Sequence, residues 1–194
     1  MTTTIDLLRH GETTHPRHYC GNTDHPLTSV GWQQMWQATT LATVSWQQIV
    51  TSPLTRCAAF AQALGQSNSI PVTTDTRLRE IHFGAWENQL AADLLQTQAD
   101  ALTRFWRNPV DFPPPQGEHL LDFQTRVLAV WHEITARFSG QRILLIAHGG
   151  VIRVILCHLQ QYPLECLLEL DVGHAQIFRI SINPVSTTVH SLSS

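Results

Sequence analysis

Two short apolar runs in this chain end the same way. Ile5-Asp6-Leu7-Leu8 leads into Arg9-His10-Gly11-Glu12-Thr13, and Ile143-Leu144-Leu145-Ile146-Ala147 leads into His148-Gly149-Gly150. A run this short, bounded by glycine, reads as a strand of a parallel sheet covered on both faces. In open α/β sheets, ligands gather beyond the carboxyl ends of such strands. If the two strands are neighbours, His10 and His148 face each other across one crevice. Two imidazoles beside an arginine suit a phosphate ester: one ring attacks phosphorus while the other offsets charge. A histidine at a strand end also occurs simply to satisfy a backbone group or a turn. The Arg-His-Gly-Glu-Thr stretch argues harder for a site, because ionisable side chains crowded at one strand end are costly unless their charge is used.

The rest of the chain alternates in the same rhythm. After a polar loop from Gly11 to Pro26, Thr28 looks like a helix N-cap before a stripe of Trp32, Met35, Trp36 and Leu41. Gln48 to Thr51 is a second strand. Ser52-Pro53 opens another helix with Leu54, Cys57, Ala58, Ala61 and Leu64 inward, and Gly65 is expected to end it. Pro71 to Thr74 is a short strand. Asn88 to Arg107 is helical in pattern, and Asn108 to Gly117, with Pro113-Pro114-Pro115, is expected to be a stiff extended loop. Leu120, Phe123, Val127, Val130 and Ile134 mark an amphipathic helix. A helix is expected from Val151 to about Leu159, then a strand from Ala175 to Ile182 and another from Thr187 to His190. Strand–helix alternation predicts an α/β fold, a three-layer α/β/α sandwich around a mostly parallel sheet. One domain is expected over residues 1–194, with residues 88–118 breaking the rhythm as a small helical cap over the strand ends.

Composition narrows the partners. With 43% hydrophobic and 14% charged residues, the chain has the make-up of a packed globular protein. A formal charge of −3 implies no basic face for nucleic acid. No apolar run is long enough to span a membrane, and no leader-like segment opens the sequence, so a cytoplasmic protein is expected. Cys20, Cys57, Cys157 and Cys166 form no CxxC pair and read as reduced packing residues. Oligomeric state is left open.

Other chemistry-bearing residues fall into place around the two histidines. Arg56 follows Ser52-Pro53 in the first turn of a helix starting at a strand's carboxyl end, so it reaches the same crevice as Arg9. A guanidinium fork matches phosphate oxygens in charge and geometry, and a helix N-terminus adds partial positive charge. Glu80, close to Phe83 and Trp86, is a candidate general acid, with an ion pair to Arg77 or Arg79 as the alternative. Glu87 is a second candidate. No nucleotide-binding P-loop is present, and no cysteine has an arginine six residues on. His15, His18 and His25 lack metal-ligand spacing, so no metal and no cofactor are expected.

Read together and in order, these elements resemble the histidine phosphatase superfamily, the phosphoglycerate-mutase-like fold. They are LLRHGET, Thr51-Ser52-Pro53-Leu54-Thr55-Arg56, Leu78-Arg79-Glu80-Ile81-His82-Phe83-Gly84-Ala85-Trp86-Glu87, Gly117-Glu118 and Ala147-His148-Gly149-Gly150. The resemblance runs from Ile5 to about Ile182. It implies a metal-independent enzyme in which His10 takes up the phosphoryl group. Arg9, Arg56 and His148 would hold its oxygens, and Glu80 would protonate the leaving alkoxide. Thr13, Cys20, Gly21 and Gly149 would contact a small phosphorylated substrate. Within the superfamily, the compact length, the FGAWE element and Pro-Pro-Gln-Gly-Glu are similar to the α-ribazole phosphatases. Pro16 stands where the family often has asparagine, and His174-Ala175 replaces an asparagine-containing element. Other sugar or nucleotide phosphates are alternative substrates. A mutase is a lesser alternative, because Arg104 and Arg107 are the only bases between Asn88 and Glu118. A phosphate-binding module without turnover is the alternative of another class.

Overall fold

The computed structural model describes residues 1–42 and 44–192. Its centre is a six-stranded sheet in the order β3-β2-β4-β1-β5-β6. The strands are β1 (Thr3–Arg9), β2 (Gln48–Thr51), β3 (Val72–Thr74), β4 (Arg142–Ala147), β5 (Ile177–Ile182) and β6 (Thr187–Leu192). β1, β4, β2 and β3 pair in parallel, and β5 and β6 are antiparallel additions at the β1 side. The two runs ending in His-Gly are therefore adjacent strands, as expected.

Burial on both faces explains their continuous apolar character. Ile143 and Leu145 of β4 pack in one core with α5 (Leu120–Arg137) and α6 (Gly149–Gln160). Leu144 and Ile146, pointing the other way, pack with α1 (Ser29–Leu41) and α2 (Thr55–Asn68). Thr28 caps α1 by accepting from the Gly31 N–H at 3.0 Å. Leu41, expected in the buried stripe, is exposed at the helix end. α2 begins after Pro53, at Thr55, and runs past Gly65 to Asn68, where Ser69 takes the left-handed cap conformation with φ 55°. Gly65 is there for close packing: a Cβ would collide with Val72 and the Ile70 carbonyl.

The segment from 88 to 118 departs from its expected shape in two places. Its helical stretch divides into α3 (Ala91–Thr97) and α4 (Ala99–Arg107) at Gln98. There the Gln98 Oε1 accepts from the buried Trp86 indole at 3.0 Å. The proline-rich stretch folds into tight turns instead of running extended. Asn108 Oδ1 accepts from the Val110 and Asp111 N–H groups, and Gly117 N donates to the Pro114 carbonyl. α6 starts two residues before the expected Val151. β5 starts later than Ala175, because Ala175 itself sits at φ 55°. Among the described residues, no helix is long and apolar enough to cross a membrane.

One charge lies inside the sheet. Asp6 in β1 is fully buried, yet it receives Arg179 from β5 at 2.8 and 2.9 Å and the Trp46 indole at 2.9 Å. Those donors satisfy the carboxylate, and its hydrogen bonds in turn hold Arg179 above its ordinary pKa. Removing one partner of such a pair leaves an uncompensated buried charge. Arg179→Ala should therefore cost about 3–5 kcal/mol in urea denaturation, and an unchanged midpoint would show that Asp6 does not depend on it.

Candidate active site

The β1–β4 register sets Arg9 opposite Ala147, so the next residue on each strand is a histidine. The His10 N–H donates to the Ala147 carbonyl at 3.0 Å, and the two imidazole centroids lie 5.3 Å apart. The Gly11 carbonyl, 2.8 Å from His10 Nδ1, can only accept. Nδ1 must carry the proton, and Nε2 keeps its lone pair. Burial, then Arg56 and Arg9, holds His10 well below the usual histidine pKa, so the ring is neutral near pH 7.

His148 joins this cluster but does not line the cavity in front of it. Its Nδ1 accepts from Arg56 Nε at 3.2 Å, which requires Nε2 to hold the proton it shares with Ser52 Oγ at 2.7 Å. Both ring nitrogens are thus engaged by protein. The expected grip of His148 on a phosphate oxygen is not the arrangement seen; the ring backs Arg56 instead. Arg56 is almost fully buried and also donates to the carbonyls of Thr23, Cys20 and Gly21 at 2.8 to 3.1 Å. Arg9 is anchored through Nη1 to the Val172 carbonyl at 2.7 Å, while its buried Nε has no partner among the described residues.

Glu80 completes the cluster from the opposite side. One carboxylate oxygen accepts from the Gly150 N–H at the start of α6, and the other from the Ile81 N–H, at 2.9 and 3.0 Å. The alternative ion pair is not formed, because Arg77 pairs with Asp75 and Glu133 instead. Arg126, not foreseen in the sequence, fixes the Glu80 segment by donating to the carbonyls of Arg77, Arg79 and Glu80. Glu87 takes a different place. It accepts from the N–H groups of Gly21, Asn22, Thr23 and Phe83 and from the Thr23 hydroxyl. Burial acts to raise its pKa, but these donors outweigh it and lower it. It is a clamp on the 20–23 loop, not a cavity residue.

Arg9, His10, Arg56 and Glu80 line a cavity of about 250 Å³. The combination can hold an anion on guanidinium groups, offer it an imidazole lone pair and hand a proton across from a carboxyl. A family model for the histidine phosphatase superfamily (branch 1) matches residues 5–194. The chain belongs to this superfamily. It is a phosphatase.

Named relatives of this histidine phosphatase differ in substrate. A glucosyl-3-phosphoglycerate phosphatase of Mycolicibacterium vanbaalenii is 32% identical, with 82% of this chain and 75% of the relative covered. An adenosylcobalamin/alpha-ribazole phosphatase of Escherichia coli is 29% identical, with 97% and 94% covered. The chain spans about half the length of a bifunctional Mycobacterium tuberculosis protein that it also matches, with 50% of that protein covered. Among solved structures, Bacillus stearothermophilus YhfR superposes with a TM-score of 0.89 at 31% identity, over 98% of this chain and 96% of that one.

Of the expected substrate contacts, Thr13, Cys20 and Gly149 line the cavity of this histidine phosphatase; Gly21 lies behind it, with its carbonyl on Arg56. The far wall is aromatic. Tyr19 and Phe83 meet edge to face at 5.0 Å, Phe105 adjoins both, and Trp106 donates to the Tyr19 hydroxyl at 2.9 Å. Arg153 and His174 also reach the cavity, and neither was singled out as a site residue from the sequence. Arg153 follows Gly149 by one helical turn, the i, i+4 spacing that keeps both on the same side of α6, which was a readable signal. His174 gave only the hint of a departure from the family pattern.

Three of these histidines couple the site to stability. His148, like His10, is held well below its ordinary pKa, by burial and then Arg56, and His174 is lowered to about 4 by burial and then Arg9. Unfolding restores ordinary values near 6.5. Below that pH the unfolded chain takes up protons that the folded chain refuses, so stability falls as pH falls. Urea midpoints should therefore decline from pH about 7.5 to about 5.5, above the carboxylate range, and His148→Asn should flatten the decline. A midpoint that rises toward acid would contradict buried neutral imidazoles.

Proposed function

We propose that this phosphatase is a phosphomonoesterase working through a phosphohistidine at His10, with no cofactor. The observation that carries the reading is the unprotonated Nε2 of a neutral His10 in a cavity that Arg9, Arg56 and Glu80 line with it. Nε2 attacks phosphorus, the bond to the ester oxygen breaks, and Glu80 gives that oxygen its proton. Water then attacks the phosphohistidine, Glu80 takes the water proton, and inorganic phosphate leaves with His10 restored. Arg9 and Arg56 hold the non-bridging oxygens, and His148 acts by keeping Arg56 in place. Splitting the displacement in two and fixing cations around the transferring group are the sources of rate.

The substrate proposed first is α-ribazole 5'-phosphate, in cobalamin nucleotide-loop assembly. Support comes from the Escherichia coli relative and from the wall of Tyr19, Phe83, Phe105 and Trp106, which suits a planar aromatic body. Such a substrate is made in the cytoplasm, and neither nucleic acid nor membrane enters the reading. We take residues 88–118 as the cap, since α4 supplies Phe105 and Trp106 to the cavity. Arg104 and Arg107 do not line it, which favours a hydrolase over a mutase needing a doubly phosphorylated ligand. A second reading rests on Arg153: its Nη groups make no hydrogen bond among the described residues, so the carboxylate of an ester such as glucosyl-3-phosphoglycerate has a partner there.

A panel of α-ribazole 5'-phosphate, glucosyl-3-phosphoglycerate, phosphoserine and p-nitrophenyl phosphate, with and without chelator, tests this. Turnover should be chelator-insensitive and highest on α-ribazole 5'-phosphate, and an alkaline denaturing quench should trap phosphate on wild type but not on His10→Asn. Absence of turnover on every ester by folded protein would end the hydrolase reading. Glu80→Gln should lower kcat/KM, which ends at departure of the leaving group, by about 10²–10⁴-fold on alkyl esters and far less on p-nitrophenyl phosphate, because nitrophenolate leaves without help. Equal losses of kcat/KM on both would remove Glu80 as proton donor.

A further inference from the structure

His174 is the one imidazole near His10 whose ring makes no hydrogen bond within the described protein. Its place is set by the backbone on both sides. β5 runs antiparallel to β1 with Ile177 opposite Leu8, so the turn before β5 ends beside His10. Two hydrogen bonds fasten that turn to β1: Ala175 N to the His10 carbonyl at 3.2 Å, and Arg9 N to the Gln176 carbonyl at 3.1 Å. Gln176 Oε1 also accepts from the Gly173 N–H at 2.6 Å, and Ala175 turns the chain at φ 55°. The result is a fixed ring, centred 5.8 Å from the His10 ring and tilted 41° to it, on the wall of the same cavity.

Charge and chemistry narrow what that ring does. The groups facing it are Arg9, His10 and Glu12. Burial and then Arg9 lower its pKa to about 4, so it is neutral in the working range. A neutral imidazole offers one N–H donor and adds no charge to a cluster already holding Arg9, Arg56 and Arg153. His148 gives both its nitrogens to Arg56 and Ser52. His174 has a free donor beside the nucleophile.

We propose that His174 is a further catalytic residue of this site, its neutral ring donating a hydrogen bond to a non-bridging oxygen of the phosphoryl group carried to His10. The contact is with the phosphoryl oxygen and not with the leaving group, so it serves every ester alike. It rests on the phosphohistidine reading for its catalytic part, but the anion contact itself does not require turnover.

The test compares wild type, His174→Ala and His174→Asn, whose carboxamide keeps a donor on a shorter arm. Orthovanadate affinity is measured by titration calorimetry, and kcat/KM on p-nitrophenyl phosphate and an alkyl monoester. His174→Ala should weaken vanadate binding and kcat/KM by about tenfold or more, with the same factor on both esters, and His174→Asn should recover most of it. Unchanged vanadate affinity in folded His174→Ala overturns the proposal. So does a loss confined to one leaving group, or a loss that His174→Asn does not relieve. If wild type turns over neither ester, the phosphohistidine reading fails, while the vanadate comparison still decides whether His174 grips the anion.

Discussion

The site depends on one pairing, β1 against β4 in parallel. That register puts His10 and His148 immediately past the partners Arg9 and Ala147. Every other group is brought to that point by an element that begins or ends there. Arg56 comes from the first turn of α2, Gly149 and Arg153 from α6, and His174 from the turn into β5. Strand ends are good places for this, because backbone N–H and C=O groups leave the ladder there and side chains take over their partners. The Gly11 carbonyl that sets the His10 tautomer is one such released group.

The electrostatics follow from crowding. Burial acts first against the charge on Arg9, and the neighbouring Arg153 and Arg56 act the same way, with Glu80 in opposition. Three guanidinium groups against the carboxylates of Glu80 and Asp171 leave an excess of positive charge suited to an anion. Burial, and after it the same field, keeps the imidazoles neutral. One crowded cluster therefore both favours an anion and leaves a lone pair on His10 Nε2.

The sequence displayed the strand pair, the helices on both faces and the polar residues that converge, because periodicity and motif order carry that information directly. It did not display side-chain direction. His148 and Glu87 are both in place, yet one ring is turned onto Arg56 and Ser52 and the other carboxylate onto the 20–23 loop. Which way a side chain points depends on donors brought by distant segments, and no local pattern records them. Arg126 shows the same limit: a helix arginine in sequence, it reaches three carbonyls of the segment bearing Glu80. The proline run misled for a related reason. Its neighbours Asn108 and Gly117 supply turn bonds that bend a stretch whose composition alone favours extension.

A glycine close after each histidine, Gly11 next to His10 and Gly150 two residues past His148, has a packing reason. A Cβ at Gly11 would collide with the Gly31 carbonyl of α1, so only glycine lets that helix close on the end of β1. At the other strand, a Cβ on Gly150 would strike the Glu80 carboxylate, which accepts that residue's N–H. Neither glycine has a positive φ, so conformational freedom is not what they provide. They provide closeness. A carboxyl held at a helix N-terminus, on the cavity it shares with His10, is possible only where the intervening backbone carries no side chain. The His-Gly-Gly signature is thus a statement about distance: it admits the Glu80 carboxyl to the start of α6.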